Sequence, residues 1–195
     1  MNYSAWAEWY DVIYALAPAG DVDFYVQLVK HPARAHPEPA GHPDPDSNRD
    51  EGRPAVLELG IGTGRIAIPT VLAGANVTGI DLQPPMLDRA RRNALKAHVR
   101  VPGGKDSPRL KRTHAAPLEL IQADMRTLDL GRVFDLVTIP SNTLLLAASR
   151  KDQLATLKSA AAHVAPGGRL AFDIFNPTSE LLSSRSEGPF LLGET

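Results

Sequence analysis

The chain contains no cysteine, which excludes disulfides, thiolate nucleophiles and cysteine-bound metal sites together. It also carries almost no net charge. The formal value is −1 over 195 residues, so no global field draws it to nucleic acid or to an anionic membrane. No apolar run approaches the ~20 residues needed to span a bilayer. The opening Met1-Asn-Tyr-Ser-Ala-Trp6 has neither a basic leader nor a long apolar core, so a soluble cytoplasmic protein is expected. Hydrophobic residues at 43% and charged residues at 22% suit a single globular domain with a sizeable core.

Against these absences one stretch stands out. Ala55-Val-Leu-Glu-Leu-Gly-Ile-Gly-Thr-Gly64 is an apolar run broken by three alternating glycines, and Val77-Thr-Gly-Ile-Asp81 follows at a short remove. The pattern predicts strand, glycine loop, helix, second strand and terminal acid, the first half of a nucleotide-type site in a parallel sheet. The glycines let a backbone approach a ligand where a Cβ would block it, and Asp81 is placed to accept hydrogen bonds from a ribose. A dinucleotide loop has the spacing Gly-x-Gly-x-x-Gly. Here Gly60 and Gly62 are followed by Gly64, and Arg65 occupies the third dinucleotide position, which disfavours a nicotinamide oxidoreductase. No Gly-Lys-Ser/Thr follows, so a phosphate-cradling P-loop is excluded. Glu58, two residues before the first glycine, would repel a pyrophosphate and suits a cationic ligand group.

The rest of the chain frames this motif. Residues 1–30 are expected as a helical extension with Trp6, Trp9, Tyr10, Ile13 and Tyr14 at helical spacing. A second helix follows Asp21, with Phe24, Val26, Leu28 and Val29 as its apolar groups. Residues 31–54 form a Pro/His-rich loop whose His31, His36 and His42 lack the pattern of a metal site. Residues 55–177 alternate strands with helices, with a second irregular insertion near 99–117, and residues 178–195 form an irregular tail. Strands are predicted at 56–59, 77–80, 118–122, 133–139 and 169–175. Helices are predicted at 65–73, 84–97 and 150–164, the last presenting Leu154, Leu157, Ala161 and Val164 on one face and ended by Pro166-Gly-Gly168. The arginines of the 84–97 helix are expected on a solvated outer face. The fold class is therefore α/β, a Rossmann-like parallel sheet of about five strands with helices on both faces. Ligands of such sheets lie beyond the carboxyl ends of the strands. Those ends carry Glu58, Asp81 and Leu82, Ala123-Asp124-Met125, Pro140-Ser-Asn142, and Asp173 with Asn176 and Pro177.

Glu58-Leu-Gly60-Ile-Gly62-Thr-Gly64 resembles the first motif of class I S-adenosylmethionine-dependent methyltransferases, of the small-molecule type. The resemblance runs from about Val56 to Pro177, and Glu8-Trp-Tyr10-Asp11 is similar to the opening segment of those enzymes. It implies S-adenosylmethionine as cofactor, with Gly60, Gly62 and Gly64 passing under its methionine portion and Glu58 serving its amino end. Asp81 would take the ribose hydroxyls, and Leu82 and Met86 would line the adenine pocket. Asp124 would accept from the adenine amino group with Met125 stacking nearby. Pro140 and Asn142 would lie near the methyl-transfer face, and Tyr10 would close over the cofactor. Methyl transfer from a sulfonium is an in-line displacement that chiefly needs alignment and exclusion of water, so no dedicated catalytic residue is assigned.

Absences bound the acceptor. Ile139-Pro-Ser-Asn142 is not the Asp/Asn/Ser-Pro-Pro-aromatic motif of amino-directed nucleic-acid methyltransferases, and there is no cysteine for cytosine-C5 chemistry. A small-molecule acceptor is expected, with no nucleic-acid or membrane partner. Members of the family continue past strand five with another helix and two strands, whereas about twenty residues follow here. The chain is thus expected to lack the C-terminal strands and to expose Leu170, Phe172, Ile174 and Phe175 on an edge open to self-association or a partner. The alternative to an active enzyme is a cofactor-binding module that is inactive or needs that partner.

Overall fold

A computed structural model of the chain describes residues 9–12, 20–31, 52–102 and 117–176. The tail from 177, most of the Pro/His-rich loop and residues 103–116 lie outside the described residues, as do Trp6, Ile13, Tyr14, His36 and His42. The described residues form helix α1 (Gly20–Lys30), β1 (Ala55–Leu59), α2 (Ala67–Leu72), β2 (Asn76–Asp81), α3 (Pro84–Lys96), β3 (Leu118–Gln122), β4 (Phe134–Ile139), a 3-10 turn (Thr143–Leu146), α4 (Arg150–Ala162) and β5 (Val164–Phe172). Residues 9–12 are also helical. The strands pair in parallel in the order β3-β2-β1-β4-β5. Strand order reverses between β1 and β4, so both halves of the sheet open a crevice at the carboxyl end of β1.

The central strands explain themselves. Every residue of β1 is buried, as a strand covered by helices on both faces requires. Its side chains alternate between two cores. Val56 joins Val77, Val71, Leu87 and Leu118 on the face covered by α2 and α3, with Val29 of α1. Ala55, Leu57 and Leu59 join Val137, Ile139, Phe134 and Ala160 of α4 on the other. Pro84 and Pro85 open α3, where the missing N–H costs nothing.

Four sequence expectations need correction. The Pro166-Gly-Gly168 segment does not end α4; it lies inside β5, which begins at Val164 rather than 169. Phe134 pairs with Val164 and Leu136 with Arg169, so the extra residues form a bulge. A Cβ on Gly168 would come within 3.0 Å of the Phe134 and Asp135 carbonyl oxygens, so the bulge needs its glycine. The stop of α4 is His163, buried, whose Nε2 accepts from the Leu130 N–H at 3.0 Å while Nδ1 faces the Ser159 carbonyl at 2.7 Å. Second, α4 buries Thr156 and Ala160 instead of Leu154, which is 52% exposed, and Ala161. The small residues face the sheet because they allow a close approach. Third, α1 buries Tyr25 and Val29, and Phe24 is exposed. Fourth, Arg89 on α3 is not a solvated arginine: its Nε donates to Asp11 at 2.7 Å, which also accepts from Asn93 at 3.1 Å.

Candidate functional site

The glycine loop is tied to β2 by backbone bonds. The N–H groups of Gly60 and Ile61 both donate to the Ile80 carbonyl, at 2.9 and 2.8 Å. The Gly62 N–H donates to Asp81 Oδ2 at 2.9 Å, and the Gln83 N–H donates to Asp81 Oδ1 at 2.9 Å. Gly60, Gly62 and Gly64 all take positive φ, a conformation that L side chains avoid. At Gly79 a Cβ would drive into the Ile61 side chain, so β2 itself needs a glycine where the loop folds back on it. Burial raises the Asp81 carboxyl above its ordinary value against the lowering effect of its backbone donors.

Glu58 lies beneath the loop and is fully buried. Burial pushes its carboxyl up to about 8, opposed by the Arg65 charge and by the Ala67 N–H at the start of α2. It is therefore mostly protonated at neutral pH. Any influence on a cationic ligand group passes through the loop above it rather than through a bare carboxylate.

Tyr10 stands over the loop: the nearest atom to a Cβ built on Gly62 is Tyr10 Cε1, at 3.8 Å. The adjoining Asp11 anchors this segment to α3. Its carboxyl is held below the usual range: burial raises it, but the hydrogen bonds from Arg89 and Asn93 and the Arg89 charge outweigh that. Beside this anchor a cavity of about 280 Å³ is lined by Asp11, Thr63, Gly64, Arg65, Ile68, Pro69 and Asn93; neither Asp81 nor the β4 end lines it.

Beyond β2, Leu82 is half exposed and Met86 is buried. At the end of β3, Asp124 sits at the surface in a fork with Arg126 (2.6 to 3.1 Å), and that guanidinium holds its carboxyl below the ordinary value. Met125 packs against the β1–β4 core.

The end of β4 is unusual. Pro140 is buried and its carbonyl accepts from the Thr143 N–H and hydroxyl. Ser141 and Asn142 then take φ of 59° and 61° in succession, a costly backbone for residues with side chains. Asp173, just after β5, accepts both amides, from Ser141 at 2.8 Å and Asn142 at 3.0 Å. The Asn142 side-chain oxygen accepts from the Phe175 N–H.

The structure thus brings Tyr10, the three glycines, Asp81 and Glu58 together around one loop, with Pro140 and Asn142 across the crevice. Gly60 joins the two sides, since a Cβ there would meet Thr143. Sequence reasoning missed Tyr25 and treated Arg65 only as a break in a glycine pattern. Arg65 pairs with Asp21 of α1 and donates to Ser141 Oγ at 2.6 Å. Nothing in its local sequence signals partners 44 and 76 positions away.

A parallel sheet with this strand order, a glycine loop after β1 and an acid ending β2 defines a nucleotide-type cofactor-binding α/β domain. Residues 56–168 match the family model described as a methyltransferase domain, and the chain belongs to the class I S-adenosylmethionine-dependent methyltransferase family. It is 32% identical over 127 residues to the cypemycin N-terminal methyltransferase of a Streptomyces species, covering 65% of this chain and 44% of that protein. It is 29% identical over 175 residues to the putative methyltransferase YqeM of Bacillus subtilis (strain 168), covering 89% and 56%. Among solved structures it is similar to the CcbJ methyltransferase of Streptomyces caelestis, at 25% identity and a TM-score of 0.56, over 80% of this chain and 52% of that one. The chain spans about half the length of the curated relatives it matches. Among the described residues no helix is long and apolar enough to cross a membrane.

Proposed function

We propose that the chain binds S-adenosylmethionine across the carboxyl ends of β2, β1 and β4 and passes its methyl group to a small-molecule acceptor. One observation carries this reading: the Asp81 carboxylate and the left-handed Gly62 meet at 2.9 Å. A ribose-binding acid and a floor without Cβ atoms therefore share one rim. The Asp81 oxygens accept the Gly62 and Gln83 N–H groups, with the Leu82 N–H beside them, and a carboxylate's remaining lone-pair capacity serves a ribose hydroxyl. Tyr10 covers Gly62 and excludes water from the loop. Leu82 and Met86 supply apolar walls for the adenine, Met125 flanks it, and Asp124 accepts its amino group. The backbone of Gly60 and Gly64, packed against Thr143 and Ile68 where a Cβ would stand, passes under the methionine end, Glu58 lies below it, and Pro140 and Asn142 face the transferred group. When bound, the sulfonium supplies an activated methyl on a good leaving group. The protein's share is alignment and dryness. The name of the relative at 32% identity supports an amine as the first acceptor to try.

Calorimetric titration of the folded chain with S-adenosylmethionine tests the reading, and absence of binding overturns it. Asp81→Ala is expected to weaken that binding by roughly 1–3 kcal/mol, the cost of stranding polar partners. Unchanged affinity would remove the ribose assignment.

A second reading is a cofactor-binding module whose turnover needs another chain. It is supported by β5, which among the described residues lies at the edge of the sheet, with Phe172, Ile174 and Phe175 exposed at and just after its end. Self-association through that edge, with binding but no turnover on a panel of amines, would favour it.

A further inference from the structure

Helix α1 is fastened to the sheet at three points. At its start Asp21 pairs with Arg65 of the loop after β1. At its end Arg169 of β5 donates to the carbonyls of Leu28 and His31, at 2.5 and 2.7 Å. In the middle Tyr25, 1% exposed, donates its hydroxyl to Asp173 Oδ1 at 2.7 Å. The polarity agrees with the helix dipole, with an acid at the N-terminus and a cation at the C-terminus. The same Asp173 carboxylate accepts the amides of Ser141 and Asn142, and Ser141 Oγ accepts from Arg65. Contacts thus close a ring from α1 through Asp173 to the β4 turn, on to Arg65, and back to α1 through Asp21. Two adjacent left-handed residues with side chains persist only where their surroundings over-determine them, and here one carboxylate receives both amides.

We propose that Asp173 is a positioning residue of the site: oriented by Tyr25, it holds the Ser141–Asn142 turn in its left-handed form and so couples the docking of α1 to the seating of the cofactor's methionine end. The inference rests on the S-adenosylmethionine reading above. It assigns α1 a role that its distance from the glycine motif in sequence conceals. Among the described residues Asp173 bonds neither the glycine loop nor Asp81; it acts through the turn and through Arg65.

The test compares two ligands on the full chain. S-adenosylmethionine carries the methionine end and the methyl group, and adenosine lacks both. Asp173→Asn is expected to weaken S-adenosylmethionine about tenfold, and Tyr25→Phe about threefold, the effect of losing one or more buried hydrogen bonds. Both variants should bind adenosine like the parent. Hydrogen exchange supplies a second readout. S-adenosylmethionine should slow amide exchange across residues 20–30 of the parent, and should do so less in Tyr25→Phe. Equal losses for both ligands, or no change in S-adenosylmethionine affinity, would overturn the proposal while leaving the cofactor reading intact. If Asp173→Asn fails to fold, Tyr25→Phe, which removes a single hydroxyl, decides the matter. A folded parent that binds neither ligand overturns the cofactor reading, and this inference falls with it.

Discussion

Between Val56 and Asp81 the candidate site is made from one run of chain, whereas its other side, at the ends of β4 and β5, is assembled from residues as far apart as Tyr25 and Asp173. On the first side the decisive contacts are backbone N–H groups of the glycine loop donating to Ile80 and Asp81. On the second they are side chains that fasten a strained turn: Asp173 on two amides, Asn142 on Phe175, Arg65 on Ser141. A loop held by its own backbone tolerates variation elsewhere in the chain. A turn held by remote side chains is formed only when α1 and β5 are both in place.

The two sides touch at Gly60, and breaking that contact should have the largest effect. Gly60→Ala places a Cβ against Thr143 Cγ2 and forces alanine to a φ of +73°. Left-handed strain and overpacking together predict a loss of about 2–4 kcal/mol in denaturant unfolding. Adding Thr143→Ser keeps the hydroxyl on the Pro140 carbonyl and removes the offending methyl, so it should restore the overpacking part only. A single variant as stable as the parent would show that the two sides are not in register at this point.

Next in size is a pH effect confined to the first side. The Glu58 carboxyl is raised from 4.5 to about 8 by burial, so the folded state holds its proton more tightly than the unfolded state. The sign follows directly. Stability is greatest when both states are protonated, and is lost as pH rises from the unfolded value through the folded one. The slope is on the order of 1 kcal/mol per pH unit between about 5 and 8. Glu58→Gln should flatten this decline, measured as unfolding midpoints across that range. Parallel profiles for parent and variant would mean that Glu58 is ionised in place.

The same contrast explains what could be read from the sequence. The glycine loop, Asp81 and the strand–helix alternation were legible because their partners are near neighbours and their residue types are demanded by φ or by burial on both faces. The β4–β5 side was legible only as a set of polar strand ends. Ser141, Asn142 and Asp173 were marked as such, but nothing local shows that one carboxylate binds two amides of a left-handed turn. Tyr25 escaped notice because Phe24 competes with it for the buried face, and the choice is made by Asp173, 148 residues away. Pro166-Gly-Gly168 was misread because the residues that stop a helix also build a bulge. Only the pairing of β5 with β4 decides between them. The Arg89–Asp11 pair was misjudged for a similar reason, since a partner delivered by the N-terminal segment turned a surface position into an anchor.

The smallest expected effect concerns the two acids at the ends of β2 and β3. Asp81 is held by backbone donors and largely buried, whereas Asp124 is held by Arg126, an exposed side chain. An exposed pair contributes little to stability, so removing the arginine should leave the fold intact. It should also release Asp124, because the guanidinium makes three of its hydrogen bonds while the Arg126 backbone N–H keeps the carboxylate in its turn. If Asp124 accepts the adenine amino group, Arg126→Ala should tighten S-adenosylmethionine binding by about twofold, the scale of an exposed ion pair. Calorimetry on the variant gives the answer. Weaker binding would transfer the adenine contact from Asp124 to Arg126, and the sharp difference between the two strand-end acids would then lie in burial alone.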